Sequence, residues 1–271
     1  MCGIVGILHR ERLGDAPARV KRMADSIIHR GPDDEGFWSD GDMALGFRRL
    51  SIVDLIAGHQ PMANEDATVW VVFNGEIYNH VALRRELEAL GHKFASDHSD
   101  TEVLVHGYEA WGEGLLPRLN GMFAFVLYDR PRDMVFLARD RFGVKPLNLW
   151  SDGRTFAFTS EIKALLAIPA FRPTADAAAM KDYLHRGPRE SEAGTMFEGV
   201  VKLPAASFIY ATPGALLDGA VQPTSWWSLG ANPSKEPYNA GTAAALADER
   251  RFRPDLLFRL NTVEITLPGS E

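Results

Sequence analysis

Short apolar runs separated by polar turns dominate the first 210 positions of the chain and predict a core built mainly of β-strands. Turn-forming residues interrupt these runs, most clearly over residues 30–36. Many short strands joined by turns favour an antiparallel, layered α+β fold over a repeated βαβ unit. The predicted strands cover residues 2–8, 43–53, 68–74, 122–128, 134–139, 155–159 and 207–211.

Other segments carry apolar residues at a helical period. One of them opens with Ser99-Asp100-Thr101-Glu102, which has the pattern of a capping box, in which the first and last side chains satisfy backbone N–H groups of the first turn. The predicted helices cover residues 16–29, 81–90, 101–119, 160–169 and 174–186.

The chain changes character after about residue 187, where Gly, Pro and Ala become frequent. From about residue 228 there is no strong periodic pattern before residues 256–267. We therefore expect one domain over residues 2–210, followed by a linker and an unassigned or truncated tail over residues 211–271.

Composition and charge narrow the class of protein. Apolar residues make up 46% and charged residues 24%, as in ordinary globular proteins. The net charge of -7 gives no electrostatic reason to expect nucleic acid or an anionic membrane as a partner. No apolar run approaches the roughly 18 residues of a membrane span, and the first residues lack the features of a signal peptide. We expect a cytoplasmic location.

The one cysteine of the chain is the first candidate for chemistry. A single cysteine, Cys2, excludes an internal disulfide framework and a thiolate metal cluster, and the histidines show no metal-ligand spacing, so we predict no metal site. Removal of Met1 would expose an α-amine with a pKa of about 7.7–8.0, which can accept the thiol proton near neutral pH. By position alone, however, a small buried residue at the start of a strand is the more common role.

Five segments, in this order along the chain, resemble the glutaminase domain of class II glutamine amidotransferases, and within that group the glutamine-dependent asparagine synthetases. Supporting stretches begin at residues 58, 121, 138 and 160, and the resemblance covers residues 1–210. It implies an N-terminal nucleophile hydrolase fold, a four-layer αββα sandwich with two antiparallel sheets. It also implies hydrolysis of glutamine to glutamate and ammonia. The five segments are Met1-Cys2-Gly3-Ile4-Val5-Gly6, His29-Arg30-Gly31-Pro32-Asp33, Arg49-Leu50-Ser51-Ile52-Val53-Asp54, Phe73-Asn74-Gly75-Glu76-Ile77-Tyr78-Asn79 and Ser99-Asp100-Thr101-Glu102-Val103.

The resemblance gives the catalytic roles to three residues. Cys2 would be the nucleophile, and the Asn74 side-chain amide and the Gly75 backbone N–H would donate to the oxyanion. Loss of one such donor typically lowers the rate by about 10²–10³. Without the residues that follow, Asn74-Gly75 would instead indicate a hairpin turn between two strands.

The resemblance also gives residues that hold the two ends of glutamine. Arg49 would pair with the α-carboxylate, where a guanidinium group permits a bidentate contact. Strand alternation turns Arg48 to the opposite face, where we expect a solvated surface charge. Asp100, with Glu76 nearby, would bind the α-amine, although an acid in the first turn of a helix is also explained by the helix dipole. Backbone groups would complete the carboxylate wall at Leu50, Ser51, Ile52 and Val53.

The chain departs from a full asparagine synthetase in one respect. Such enzymes continue into an ATP pyrophosphatase domain with a Ser-Gly-Gly phosphate loop, and no such segment occurs here. We expect no cofactor in this chain, with ATP and Mg²⁺ only on a separate or missing synthetase domain. The expected partners are glutamine and an ATP-dependent synthetase or a homologue, and the sequence does not indicate the oligomeric state.

Three interpretations of the function stay open. The first is a working glutaminase, and the second is a catalytically quiet regulatory or partner-binding module. The third is an N-terminal nucleophile hydrolase of a different amide, against which the pair Arg49 and Asp100 counts.

Overall fold

The computed structural model describes residues 2–11, 14–51, 58–187 and 193–228, and these residues form two six-stranded sheets in which all neighbouring strands are antiparallel. The first sheet has the order β10-β8-β9-β1-β3-β2 and the second the order β12-β11-β7-β6-β5-β4. The strands are β1 (Gly3–His9), β2 (Asp34–Asp40), β3 (Met43–Arg49), β4 (Met62–Ala63), β5 (Val69–Ile77), β6 (Gly121–Asp129), β7 (Met134–Arg139), β8 (Asn148–Ser151), β9 (Thr155–Thr159), β10 (Val200–Lys202), β11 (Ser207–Ala211) and β12 (Thr224–Ser225).

Each predicted helical segment is helical in the structure, but several of these helices end earlier, and the short helix over Pro213–Leu217 was not predicted. The predicted helix 101–119 is α-helical only to residue 111, because Gly112 has a positive φ of 56° and the following turn contains Pro117, which has no backbone N–H. The segment predicted at 160–169 forms a 3-10 helix over Ile162–Ala167. The α-helices are α1 (Ala16–Ser26), α2 (His80–Ala89), α3 (Asp100–Trp111), α4 (Ala177–Arg186) and α5 (Pro213–Leu217).

The two sheets pack face to face between helical layers. In the central core, Phe47 and Phe158 of the first sheet belong to the same buried cluster as Val126 and Leu137 of the second. The outer face of the first sheet is covered by α1 and the 3-10 helix at 162–167, and the outer face of the second by α2 and α3. The predicted αββα sandwich with two antiparallel sheets is therefore confirmed.

One strand forms where the sequence indicates a turn. The polar segment that begins at Asp34 becomes β2, which pairs with β3 along its whole length. β2 is the edge strand of its sheet and most of its residues are partly or fully exposed, so it lacks the apolar pattern by which a buried strand is recognised.

Residues beyond the expected boundary at 210 also contribute to this compact unit, which extends to Ser228. Leu216 and Leu217 of α5 belong to the core between the sheets, and β12 pairs with β11. Of the linker and tail expected over residues 211–271, residues 229–271 lie outside the described residues. Among the helices that are described, none combines the length and the apolar character needed to traverse a bilayer.

Candidate active site

A pocket of about 170 Å³ lies where β1 begins, β3 ends, β5 nears its end and α3 begins. Its volume is below the roughly 300–1,000 Å³ of pockets for drug-sized ligands, so it suits a small molecule. Polar and charged groups of both signs converge in it. The lining residues are Cys2, Phe47, Arg49, Leu50, Gly58, Gln60, Phe73, Asn74, Gly75, Glu76, Ser99, Asp100, Thr101, Met122 and Lys145.

Most of the residues predicted from the sequence meet in this pocket. Ser51 is described but does not line it, and Ile52 and Val53 lie outside the described residues. The predicted residues that do line the pocket are Cys2, Arg49, Leu50, Asn74, Gly75, Glu76 and Asp100.

The Cys2 thiol is partly buried beside the backbone of Leu50. The Leu50 N–H donates to Sγ at 3.5 Å, and the thiol lies 3.7 Å from the Leu50 carbonyl oxygen, to which it donates. Burial raises the pKa of the Cys2 thiol, although the Leu50 hydrogen bond and the positive charges of Arg49 and Lys145 act in the opposite direction. The thiol is therefore protonated at neutral pH, and its reaction as a nucleophile requires a base.

The loop that follows α1 holds the end of β3 in place. Gly31 lies against this strand so closely that a Cβ atom would come within 2.4 Å of the Arg48 carbonyl carbon. The Asp33 N–H donates to the Arg49 carbonyl oxygen at 3.0 Å, and the Ser51 N–H donates to the Asp33 carboxylate at 2.8 Å. Ser51 thus lies outside the pocket, but the hydrogen bond of its backbone N–H helps to hold the part of the pocket wall formed by Arg49 and Leu50.

Arg48 and Arg49 point to opposite faces of β3, as strand alternation predicts, but the expectation that Arg48 is a solvated surface charge is wrong. Its side chain is only 7% exposed and forms ion pairs with Asp25 of α1 and, at 2.7 Å, with Glu35 of β2. Two carboxylates and the covering helix α1 bury this guanidinium, and a single sequence does not reveal such long-range partners.

Asn74 and Gly75 lie inside β5 and pair with Ala124 and Phe123 of β6, so the hairpin alternative is wrong. Asn74 is 1% exposed, and its Nδ2 atom is buried without a hydrogen-bond partner. A buried amide donor without a partner is costly, and its position in the pocket wall favours a role in binding. At Gly75 a Cβ atom would come within 2.3 Å of the Met122 carbonyl oxygen, so close strand packing also requires glycine here.

Two carboxylates form another part of the pocket. Asp100 is buried, and its Oδ2 atom accepts a hydrogen bond from the Ile77 N–H at 3.0 Å. Burial raises the pKa of Asp100, and the neighbouring Glu76 carboxylate adds to the shift, while the Ile77 hydrogen bond and His80 oppose it. A cationic group placed between the two carboxylates would favour the ionised form of Asp100.

The predicted capping box at the start of α3 is wrong. Ser99 occupies the N-cap position, but its Oγ is buried without a partner and makes no capping bond. Glu102 turns away and accepts hydrogen bonds from the backbone N–H groups of Ala95 and Ser96, at 2.6 and 2.9 Å. Ser99 therefore offers the pocket a second polar group without a protein partner.

Sequence reasoning did not single out Lys145, which is a second buried cation of the pocket beside Arg49. Burial lowers the pKa of Lys145. Its position follows from Asp140, whose carboxylate accepts hydrogen bonds from four backbone N–H groups, those of Phe123, Phe142, Val144 and Lys145, at 3.0–3.1 Å. The motif containing Asp140 was visible in the sequence, and Lys145 follows that acid by five residues.

Gln60 is a further lining residue that the sequence analysis did not select. Its Oε1 accepts from the Phe73 N–H at 2.6 Å, and its Nε2 donates to Thr101 Oγ1 at 3.2 Å. It connects the segment before β4 with β5 and α3.

A larger depression of about 360 Å³ lies elsewhere, beside β8 and β10, but its lining is mainly apolar with Lys202 as its charged residue.

Comparison with known proteins gives one family match and several relatives. A family model described as "Glutamine amidotransferase domain" matches residues 1–227. The chain is 39% identical over 218 residues to asparagine synthetase [glutamine-hydrolyzing] 3 of Bacillus subtilis, which is 79% of this chain and 35% of that protein. It is 45% identical over 168 residues to asparagine synthetase [glutamine-hydrolyzing] 3 of Arabidopsis thaliana, which is 61% of this chain and 28% of that protein. The chain thus spans about a third of the length of these curated relatives.

Among solved structures, the chain is similar to glutamine phosphoribosylpyrophosphate amidotransferase from B. subtilis. The TM-score is 0.60 at 18% sequence identity, and the match covers 84% of this chain and 50% of that chain. At this identity the similarity concerns the fold, which agrees with the two antiparallel sheets described above.

Proposed function

Because this chain belongs to the glutamine amidotransferase domain family, we propose that it hydrolyses glutamine to glutamate and ammonia as the glutaminase half of an asparagine-synthetase-like enzyme. The observation that carries the proposal is the pocket itself. It brings the Cys2 thiol, the unpartnered amide of Asn74, a guanidinium group and two carboxylates together around a space for a small molecule.

The polarity of the pocket supports an amino acid substrate. The Arg49 guanidinium would bind the α-carboxylate of glutamine, and Asp100 with Glu76 would bind its α-ammonium group. These opposite charges orient the side-chain amide toward Cys2. Loss of either charge would raise KM for glutamine more than it lowers kcat, because both contacts exist before and during the reaction.

The proposed reaction begins when the Cys2 sulfur attacks the side-chain amide carbon of glutamine. The thiol proton passes to the α-amine that removal of Met1 would expose, and Asn74 Nδ2 with the Gly75 N–H would stabilise the negative oxygen. Collapse of the tetrahedral intermediate breaks the carbon–nitrogen bond, and the amine returns the proton to the departing ammonia. Water then hydrolyses the thioester to glutamate and the free thiol.

The acceptor of the ammonia belongs to the same proposal. The relatives are asparagine synthetases of which this chain spans about a third, which supports an ATP-dependent synthetase, or a homologue that carries one, as the partner. ATP and Mg²⁺ would act on that partner, and this chain would use no cofactor. We place the reaction in the cytoplasm, since a chain with a single cysteine has no internal disulfide, as is usual for proteins of a reducing compartment.

Glutamate release tests the proposal directly. Mass-verified protein without Met1 is incubated with glutamine, and Cys2→Ala serves as the matched variant after its thermal unfolding is shown to equal that of the parent. Turnover in the parent and none in Cys2→Ala is the expected result. Equal glutamate release by both proteins would refute a cysteine mechanism.

Two further outcomes separate the alternatives. Preference for another amide over glutamine in a substrate panel would favour a different N-terminal nucleophile hydrolase. No turnover by either protein, together with co-purification of a synthetase or homologue, would favour a catalytically quiet partner-binding module.

A further inference from the structure

Two histidines and a glutamate meet outside the pocket, beside α3. His92 lies in the segment between α2 and α3, while His106 and Glu109 lie on α3. One possible ligand atom from each residue lies within 4.8 Å of the other two. Glu109 Oε2 is 3.2 Å from His106 Nδ1 and 3.6 Å from His92 Nδ1.

The two distances from Glu109 Oε2 to the histidine nitrogens fit a tetrahedral metal ion. Zn²⁺ binds histidine nitrogen and carboxylate oxygen at about 2.0–2.2 Å, which in a tetrahedron places neighbouring ligand atoms about 3.3–3.6 Å apart. The side chains of His92 and Glu109 are 21% and 25% exposed, so an ion can enter and a water molecule can reach a fourth position. Two imidazoles and one carboxylate are a donor set that zinc uses.

Surrounding residues hold two of the three ligands in place. His106 is almost fully buried, and its Nε2 lies 3.6 Å from Glu102 Oε1, so the acid orients the ring while Nδ1 faces Glu109. Asn64 Nδ2 donates to Glu109 Oε1 at 2.7 Å, which leaves Oε2 directed at the two histidines. Hydrogen bonds of this kind to a second nitrogen or oxygen are typical of residues that bind metals.

We propose that His92, His106 and Glu109 form a binding site for Zn²⁺, oriented by Glu102 and Asn64 and separate from the glutamine pocket. The ion would fasten the segment after α2 to helix α3. The sequence did not predict this site, because the histidines are 14 residues apart and only the fold brings them together. The site is independent of the glutaminase proposal.

A proton competes with the metal for each histidine nitrogen, because only the neutral imidazole binds a metal. Zinc binding is therefore best measured at about pH 8 rather than in acid.

Calorimetric titration with Zn²⁺ tests the site, with the untagged full chain carrying Cys2→Ala so that the active-site thiol cannot bind the metal. We expect one equivalent of Zn²⁺ to bind, and Co²⁺ to give the intense visible absorption of a tetrahedral site. His92→Ala should weaken zinc binding at least tenfold, and Glu109→Gln, which keeps the shape of the side chain, should do the same.

The control is His98→Ala, which removes an exposed histidine from the same segment and should change zinc affinity less than twofold. Equal zinc binding by the parent and His92→Ala would overturn the proposal, as would the lack of a saturable single site in a parent that is folded. None of these measurements uses glutaminase activity, so they stand or fall separately from it.

Discussion

Replacement of Asn74 by leucine should remove activity without unfolding the protein. Asn74 Nδ2 is buried with no hydrogen-bond partner, and an unsatisfied buried polar group costs about 1–3 kcal/mol. Leucine has a similar branched shape and carries no such donor, so the free energy of unfolding should stay equal or rise by up to that amount. If Nδ2 serves the oxyanion, kcat should fall by about 10²–10³, which corresponds to about 2.7–4 kcal/mol of lost transition-state stabilisation.

The assay measures glutamate release at saturating glutamine together with urea unfolding of the same preparations. Asn148→Leu is the matched control, because Asn148 is also buried but its Nδ2 donates to the carbonyl oxygens of Thr159 and Ser160, each at 3.2 Å. Asn148→Leu would remove the donor of these two hydrogen bonds, so both carbonyl oxygens would lose a partner. It should lower the free energy of unfolding by about 1–3 kcal/mol while the folded fraction keeps its kcat.

Two results would refute this reasoning. One is a kcat of Asn74→Leu within threefold of the parent, which would remove Asn74 from the oxyanion site. The other is a loss of kcat that is matched by a loss of stability as large as in Asn148→Leu, because the amide would then have a structural role.

Three other perturbations follow from the same site. Asp100→Asn should raise KM for glutamine at least tenfold, and in the parent KM should rise as pH falls through the raised pKa of this group, at a higher pH than for an exposed aspartate. Because ionised Asp100 is disfavoured in the folded state, Asp100→Asn should also raise the melting temperature at pH 7. This gain should vanish below the ordinary aspartate pKa of 3.8, where Asp100 is protonated in both the folded and the unfolded state. A lower melting temperature of Asp100→Asn at pH 7 would contradict this account. In protein that retains Met1, the rate at which iodoacetamide alkylates Cys2 should rise with pH. The midpoint of this rise should lie at a higher pH in the folded protein than in the same chain unfolded in urea, since burial raises the pKa of the thiol. Equal midpoints in the two states would be contrary evidence. Gly31→Ala should lower the free energy of unfolding by about 1–3 kcal/mol, because the added Cβ would clash with the Arg48 backbone. Gly14→Ala is the control and should leave the free energy of unfolding unchanged, because no atom lies within 4 Å of the added Cβ. Equal effects of the two substitutions would argue against the clash.

The sequence was most informative where chemistry depends on local order. The segments around Cys2, Arg49, Asn74 and Asp100 sit at the ends or late positions of regular elements, so recognising each segment also located its side chain. The strand assignment of β5, β6, β7 and β9 followed from apolar runs that are buried on both faces of a sheet.

The sequence was least informative where a residue's environment comes from distant parts of the chain. Arg48 looked like a surface charge because Asp25 and Glu35, which neutralise it, belong to other elements. Glu102 fitted a capping box by spacing. In the structure, however, its carboxylate accepts hydrogen bonds from two backbone N–H groups of the preceding segment instead of capping the start of α3. Lys145 has no signal of its own, since the turn that aims it is built on the carboxylate of another residue.

The turn built on Asp140 has a consequence for how the pocket tolerates change. Its carboxylate accepts hydrogen bonds from the backbone N–H groups of Phe142, Val144 and Lys145, and the Arg139 guanidinium donates to the carbonyl oxygens of Gly143 and Lys145. Two neighbouring side chains therefore hold the main chain that carries the lysine. Phe142 and Val144 are 67% and 49% exposed and can accumulate substitutions while the lysine stays where it is. A single change at Asp140 would release the turn and the Phe123 N–H of β6 together. Gly143 is constrained as well, by its positive φ of 63°, so this segment tolerates substitution at its exposed side chains but not at these two positions.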